Sequence, residues 1–134
     1  DLTIGIENVW NRFLLSPLET RRFLDEIGSD YVGMYLDVGN AVYIGYPEQW
    51  IEILGHRIKK LHMSDYRFDQ AGIGAFVDLF AGDVDFPAVA KAIAGIGYDD
   101  YITLEMLPNY KQFPEVSLYA DKYAMNKIIE MIHL

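Results

Sequence analysis

The sequence predicts an α/β fold built on a parallel sheet, and three observations carry that prediction. Short β-branched or aromatic runs alternate with longer amphipathic ones along the whole chain, the pattern of repeated βα units. Each short run ends in a carboxylate or has an imidazole near its end. The helical stretches carry start and stop residues where the hydrophobic period changes.

The first strand is read over residues 2–8, an apolar run ending in Glu7 and Asn8. Ser16, Pro17 and Glu19 then form a capping box with proline at the first helical position. Phe23, Leu24 and Ile27 give that helix its apolar stripe, and Gly28 is its left-handed stop. A second strand spans 32–36 and delivers Asp37. Pro47 opens a helix through Trp50, Ile51 and Leu54, closed by Gly55. The third strand, 59–63, has His62 near its end. The connection over 65–83 is long and glycine-bearing, and a structureless loop of that length inside a compact domain is usually functional or mobile. Asp85 caps a helix that runs from Pro87 to Ile96 and stops at Gly97. The strand at 101–104 delivers Glu105, and a helix over 114–132 closes the chain.

Four strands and four helices follow one another without a linker or low-complexity tract, so residues 1–134 are expected to form a single domain. Four βα units make half of an eight-stranded barrel, which typically takes about 250 residues; a small open α/β sheet is the alternative. The chain starts at Asp1, almost inside a strand, so further sequence upstream is expected.

Composition narrows the function. A hydrophobic content of 51% excludes a disordered class. With 20 acidic against 11 basic residues and a net charge of −9, the chain has no basic footprint for a nucleic acid. The absence of cysteine excludes thiolate metal sites, disulfides and cysteine nucleophiles, and fits a cytoplasmic setting. No apolar run approaches the roughly 18 residues of a membrane span, so no membrane partner is expected.

Glu7, Asp37, His62 and Glu105 carry the chemistry. Each stands at or next to the carboxyl end of a strand, where the active sites of βα barrels assemble. One polar residue there can simply solvate the rim of a sheet; four strands in succession argue for a site. Three carboxylates in one pocket repel one another unless a cation joins them. With an imidazole they make a mixed O and N donor set suited to Mn²⁺, Co²⁺, Mg²⁺ or Zn²⁺.

The segments Gly5-Ile6-Glu7-Asn8-Val9-Trp10-Asn11, Leu36-Asp37-Val38-Gly39-Asn40, Lys60-Leu61-His62-Met63-Ser64-Asp65 and Gly97 through Glu105 together resemble the xylose-isomerase-like TIM barrels. Within that group they are most similar to the sugar phosphate isomerases and epimerases, including ketose 3-epimerases and hexulose-phosphate isomerases. The resemblance covers nearly the whole chain and matches strands five to eight of the family barrel, a parallel (βα)4 half. It implies one divalent ion held by Glu7, Asp37, His62 and Glu105, and a sugar or sugar phosphate as substrate. It also implies that Glu7 and Glu105 are catalytic, moving a proton next to a ketose carbonyl through an enediolate.

The resemblance is imperfect at one position. Many members carry a histidine three residues after the second-strand aspartate of this half, where this chain has Asn40. Asn40 can bind substrate by a hydrogen bond, but it cannot carry a proton at neutral pH. Arg67 is a candidate for a substrate hydroxyl or phosphate, with a solvated loop arginine as the alternative. Trp10 could wall the sugar pocket, and Asp65 could orient His62 or Arg67 from behind. His56 and His133 read as structural or terminal.

Two rivals remain at this level. A DNA endonuclease of the same superfamily would need a histidine-rich three-metal cluster and a basic face, neither of which fits three histidines and a charge of −9. A non-catalytic half-barrel, serving as an assembly module with a vestigial metal site, fits better. Its edges near 3–5 and 102–104, and an apolar barrel-facing side of the sheet, are expected to be covered in a homodimer or by a missing N-terminal half.

Overall fold

The computed structural model describes residues 2–107 and 109–134. The chain begins with β1 (Ile4–Glu7), α1 (Pro17–Ile27), β2 (Val32–Asp37), α2 (Val38–Ile44) and α3 (Pro47–Leu54). A single 3-10 turn leads into β3 (Ile58–Met63), followed by β4 (Asp65–Tyr66) and β5 (Phe76–Val77). The last elements are α4 (Phe86–Gly95), β6 (Ile102–Leu104) and α5 (Glu115–Ile132). Strands β1, β2, β3 and β6 form one parallel sheet in that order. This is the (βα)4 half-barrel arrangement.

The helix ends follow the local chemistry. Ser16 Oγ accepts the Glu19 N–H at 3.2 Å, and the Glu19 carboxylate reaches back to the Leu15 N–H at 3.0 Å, one residue earlier than in a standard capping box. Gly28 ends α1 at φ +61°, a conformation that side chains resist. Asp85 caps α4 by accepting the Ala88 N–H.

Alternation along the strands sorts two faces. Met34, Leu36, Leu61 and Met63 are buried against Trp50, Ile51 and Leu54 of α3, Ile93 of α4 and Ile128 of α5. The opposite face carries Glu7, Tyr35 and Lys60 in register, then Asp37, His62 and Thr103. This side was expected to be apolar, and it is not. The helices already bury the apolar half of β2 and β3, which leaves polar and aromatic side chains for the barrel-facing side.

Two further expectations change. Residues 65–83 are not structureless: β4 and β5 pair antiparallel around a 3-10 turn at Gly72–Ala75. The short helix α2 was not foreseen; it follows Asp37 directly, and its seven residues give too brief a hydrophobic period to read.

Candidate metal centre

Parallel pairing brings the four strand ends to one level. Asp37 stands opposite His62 in the ladder, and Glu7 lies one strand over, opposite Tyr35. Glu105 follows β6, its N–H bonded to the Met63 carbonyl. One donor atom from each of Glu7, Asp37, His62 and Glu105 lies within 4.8 Å of the others. His62 Nδ1 is 3.1 Å from Glu7 Oε1 and 2.9 Å from Glu105 Oε2.

The four residues are not equivalent. Asp37 is 1% exposed, whereas the side chains of His62, Glu7 and Glu105 are 15%, 31% and 52% exposed. Asp37 ends β2 and also caps α2, its Oδ1 accepting the Asn40 N–H. Burial pushes its carboxyl up to about 7, and the adjacent Glu105 carboxylate adds to the rise; the Asn40 N–H and the Ser64 hydroxyl oppose it. A buried carboxyl beside another acid is disfavoured in its ionised form, and a nearby cation would favour that form. The donor set therefore fits a divalent cation: three carboxylates and an imidazole, close together at one end of the sheet.

A cleft of about 220 Å³ opens beside Glu105, lined by Asn40, Ser64, Ile73, Phe76, Glu105, Met106 and Leu107. Asn40 is thus beside the cluster. Trp10 is one layer removed: it lines a neighbouring hollow with Tyr43 and Arg12. Its ring stacks on Phe76 at 5.4 Å and meets Tyr66 edge-on at 5.5 Å, so it backs Phe76.

Arg67 and Asp65 stand elsewhere. The Arg67 guanidinium forks onto Asp69 within the exposed loop, with Nε 2.9 Å from Oδ1. Asp65 reaches neither His62 nor Arg67. Its carboxylate accepts the N–H groups of Tyr66, Gly82 and Val84 and so ties the 65–83 segment together. The backbone turns that carboxylate into the loop, because three N–H groups there need an acceptor.

Three residues near the cluster had no role in the sequence reading. Asn8 bridges to the Asp37 backbone, Ser64 donates to the Asp37 carboxylate, and the Tyr35 ring packs on His62 at 4.0 Å between centroids. Period-two spacing was a usable signal for two of them, since Tyr35 precedes Asp37 by two and Ser64 follows His62 by two.

The family model for the xylose isomerase-like TIM barrel matches residues 1–125. A D-tagatose 3-epimerase-like protein superposes with a TM-score of 0.78 at 21% identity, covering 98% of this chain and 48% of its own. The IOLI protein, solved with a binding zinc atom, gives 0.72 at 19% identity over 84% of this chain and 42% of its own. D-allulose 3-epimerase from Methylomonas sp., in complex with D-allulose, gives 0.68 at 21% over 98% and 47%. At these identities the likeness concerns the fold, and the chain spans about half the length of each structure. No curated protein matches the sequence.

Proposed function

The chain belongs to the xylose isomerase-like TIM-barrel family, and from that premise we propose that it supplies the metal-binding half of a sugar or sugar-phosphate isomerase or epimerase. The observation that carries this reading is the convergence of Glu7, Asp37, His62 and Glu105 at the strand ends. These four residues would hold one divalent ion. When bound, the ion supplies Lewis-acid polarisation of neighbouring substrate oxygens and offsets the carboxylate charge.

The chain's own groups supply the proton chemistry. Glu7 and Glu105 come from opposite edges of the sheet and approach the same His62 nitrogen. A ketose carbon between them would present one face to each carboxylate. One glutamate takes the proton next to the carbonyl, and the electron pair of that C–H bond moves into an enediolate. The other glutamate returns a proton to the opposite face for epimerisation; for isomerisation the same glutamate delivers it to the neighbouring carbon. Asn40, on the cleft wall, offers a hydrogen bond to a substrate hydroxyl. Relatives with sugar-epimerase names, one of them in complex with D-allulose, support this substrate class.

Calorimetry with Mn²⁺ tests the reading. One site per intact pocket is expected, lost in Asp37→Ala and in His62→Ala; unchanged binding in both variants overturns it.

A second reading, an assembly module without turnover, is favoured by one observation. Leu2 and Ile4 at the β1 edge, and Tyr101, Leu118 and Tyr119 around β6 and α5, are exposed apolar or aromatic side chains. They would pair with a companion half-barrel or a second copy. Deuterium from solvent appearing in a ketose product next to the carbonyl would decide for the enzyme. Among the described residues no helix is long and apolar enough to cross a membrane.

A further inference from the structure

We propose that Asn8 and Ser64 are positioning residues that set Asp37, and through it the spacing of the ligand cluster, before any cation binds; this rests on the metal-site reading above. Strand β1 stops at Glu7, so the ladder to β2 would end there. Asn8 extends it with a side chain. Its Nδ2 donates to the Asp37 carbonyl at 2.8 Å, and its Oδ1 accepts the Asp37 N–H at 2.7 Å. Asn8 is buried, and in that setting a carboxamide matched to both backbone groups holds them in one arrangement. The residue before it is Glu7 and the residue it grips is Asp37, so the clamp fixes two ligands from adjacent strands relative to each other.

Ser64 works from the other side. Its Oγ lies 3.0 Å from both Asp37 carboxylate oxygens and accepts the Gly39 N–H at 3.1 Å. A hydroxyl has one proton, so acceptance from Gly39 turns that proton toward Asp37. Position 39 has to be glycine for this contact: a Cβ there would collide with Ser64 Oγ. Ser64 follows His62 by two residues. The chain Asn8–Asp37–Ser64 therefore links the ends of β1, β2 and β3 through the one buried carboxylate of the cluster. Groups that hydrogen-bond a ligand and fix its orientation commonly govern metal affinity as strongly as some ligands do.

The test uses the intact protein, Mn²⁺ calorimetry and the visible absorption bands of bound Co²⁺, which report ligand geometry. Asn8→Ala and Ser64→Ala should each weaken Mn²⁺ by about 10–100-fold and shift the Co²⁺ bands, with the far-ultraviolet circular dichroism of the parent. Asn11→Ala should match the parent in both, since the Asn11 side chain bonds the Phe13 N–H in the exposed loop. Should Asn8→Ala not fold, Ser64→Ala carries the test, because Ser64 lies outside the four-stranded ladder. Parental affinity and parental Co²⁺ bands in Ser64→Ala overturn the proposal. Retention of Mn²⁺ by Asp37→Ala and His62→Ala overturns the metal site itself, so the two failures are distinguishable.

Discussion

Glu7 and Glu105 stand on opposite edges of one sheet, and the chain holds them very differently. On the Glu7 side, Asn8, Asp37, Gly39 and Ser64 form a buried hydrogen-bonded lattice across three strand ends. On the Glu105 side, β6 is only three residues long. The Glu105 side chain is 52% exposed, and its carboxylate approaches His62 and Asp37. The contrast teaches that one flank of the candidate site is built into the fold, while the other is placed mainly by the backbone bond from Glu105 N–H to Met63. Under the proposed function, the preset flank would hold the cation ligands in place and the looser one would leave room for substrate.

Neutralising each glutamate probes that contrast with the largest expected effect. Under the proposed function, Glu7→Gln and Glu105→Gln in the full-length protein keep the side-chain size and would remove the proposed base. Each should lower turnover by about 10²–10⁴-fold. Glu105→Gln should retain the Co²⁺ bands more closely, because its flank can adjust. Steady-state rates with a panel of ketoses and ketose phosphates, together with Co²⁺ spectra, read both effects. Equal spectral disturbance in the two variants would remove the contrast.

The next effect is on stability against pH, and it belongs to the buried flank. Burial and the Glu105 charge raise Asp37 from the ordinary carboxylate range to about 7. The folded state therefore holds this proton more tightly than the unfolded state does. Stability from this group is complete below about pH 4 and falls as pH rises toward 7. The metal-free protein should lose thermal stability across that window more steeply than Asp37→Asn, which has no proton to release. Saturating Mn²⁺ should offset the loss near neutrality if, as proposed, the ion binds the ionised carboxylate. Melting curves from pH 4 to pH 8 check this; a parallel decline in the parent and Asp37→Asn would contradict it.

The same contrast explains what could be read in the sequence. Strand ends and helix caps are local signals: Ser16, Gly28, Pro47 and Asp85 all mark helix boundaries where expected. The strand-end positions of Glu7, Asp37, His62 and Glu105 are likewise local, since each stands at or next to the point where a short apolar run stops. The Asn8 clamp spans 29 residues, and no local pattern announces which polar side chain will meet a distant backbone. Asp65 misled for a related reason. Its neighbours in sequence are His62 and Arg67, whereas its partners are the amides of Gly82 and Val84, brought back by the β4–β5 hairpin. The polar barrel-facing side is not legible from hydrophobic content alone, because only the helices packed on Met34, Leu36, Leu61 and Met63 decide which face of the strands is buried.

The smallest effect tests the tie between the two flanks. The Tyr35 hydroxyl lies 3.1 Å from Thr103 Oγ1, reaching across β3 from β2 to β6. Tyr35→Phe keeps the ring against His62 and deletes this bond. The partner left behind, the exposed Thr103 hydroxyl, can turn to water, so the cost should be about 0.5–1.5 kcal/mol by denaturant unfolding. Asn8→Ala should cost more, because it strands the buried Asp37 N–H and carbonyl at about 1–3 kcal/mol for each group left unpaired. The two losses should also differ in kind. Removing the hydroxyl loosens Glu105 relative to His62 without disturbing Asp37, so Mn²⁺ affinity should change less than in Asn8→Ala. If Tyr35→Phe instead destabilises the protein as much as Asn8→Ala, the β6 flank is held as firmly as the β1–β3 flank, and the adjustable side of the site does not exist.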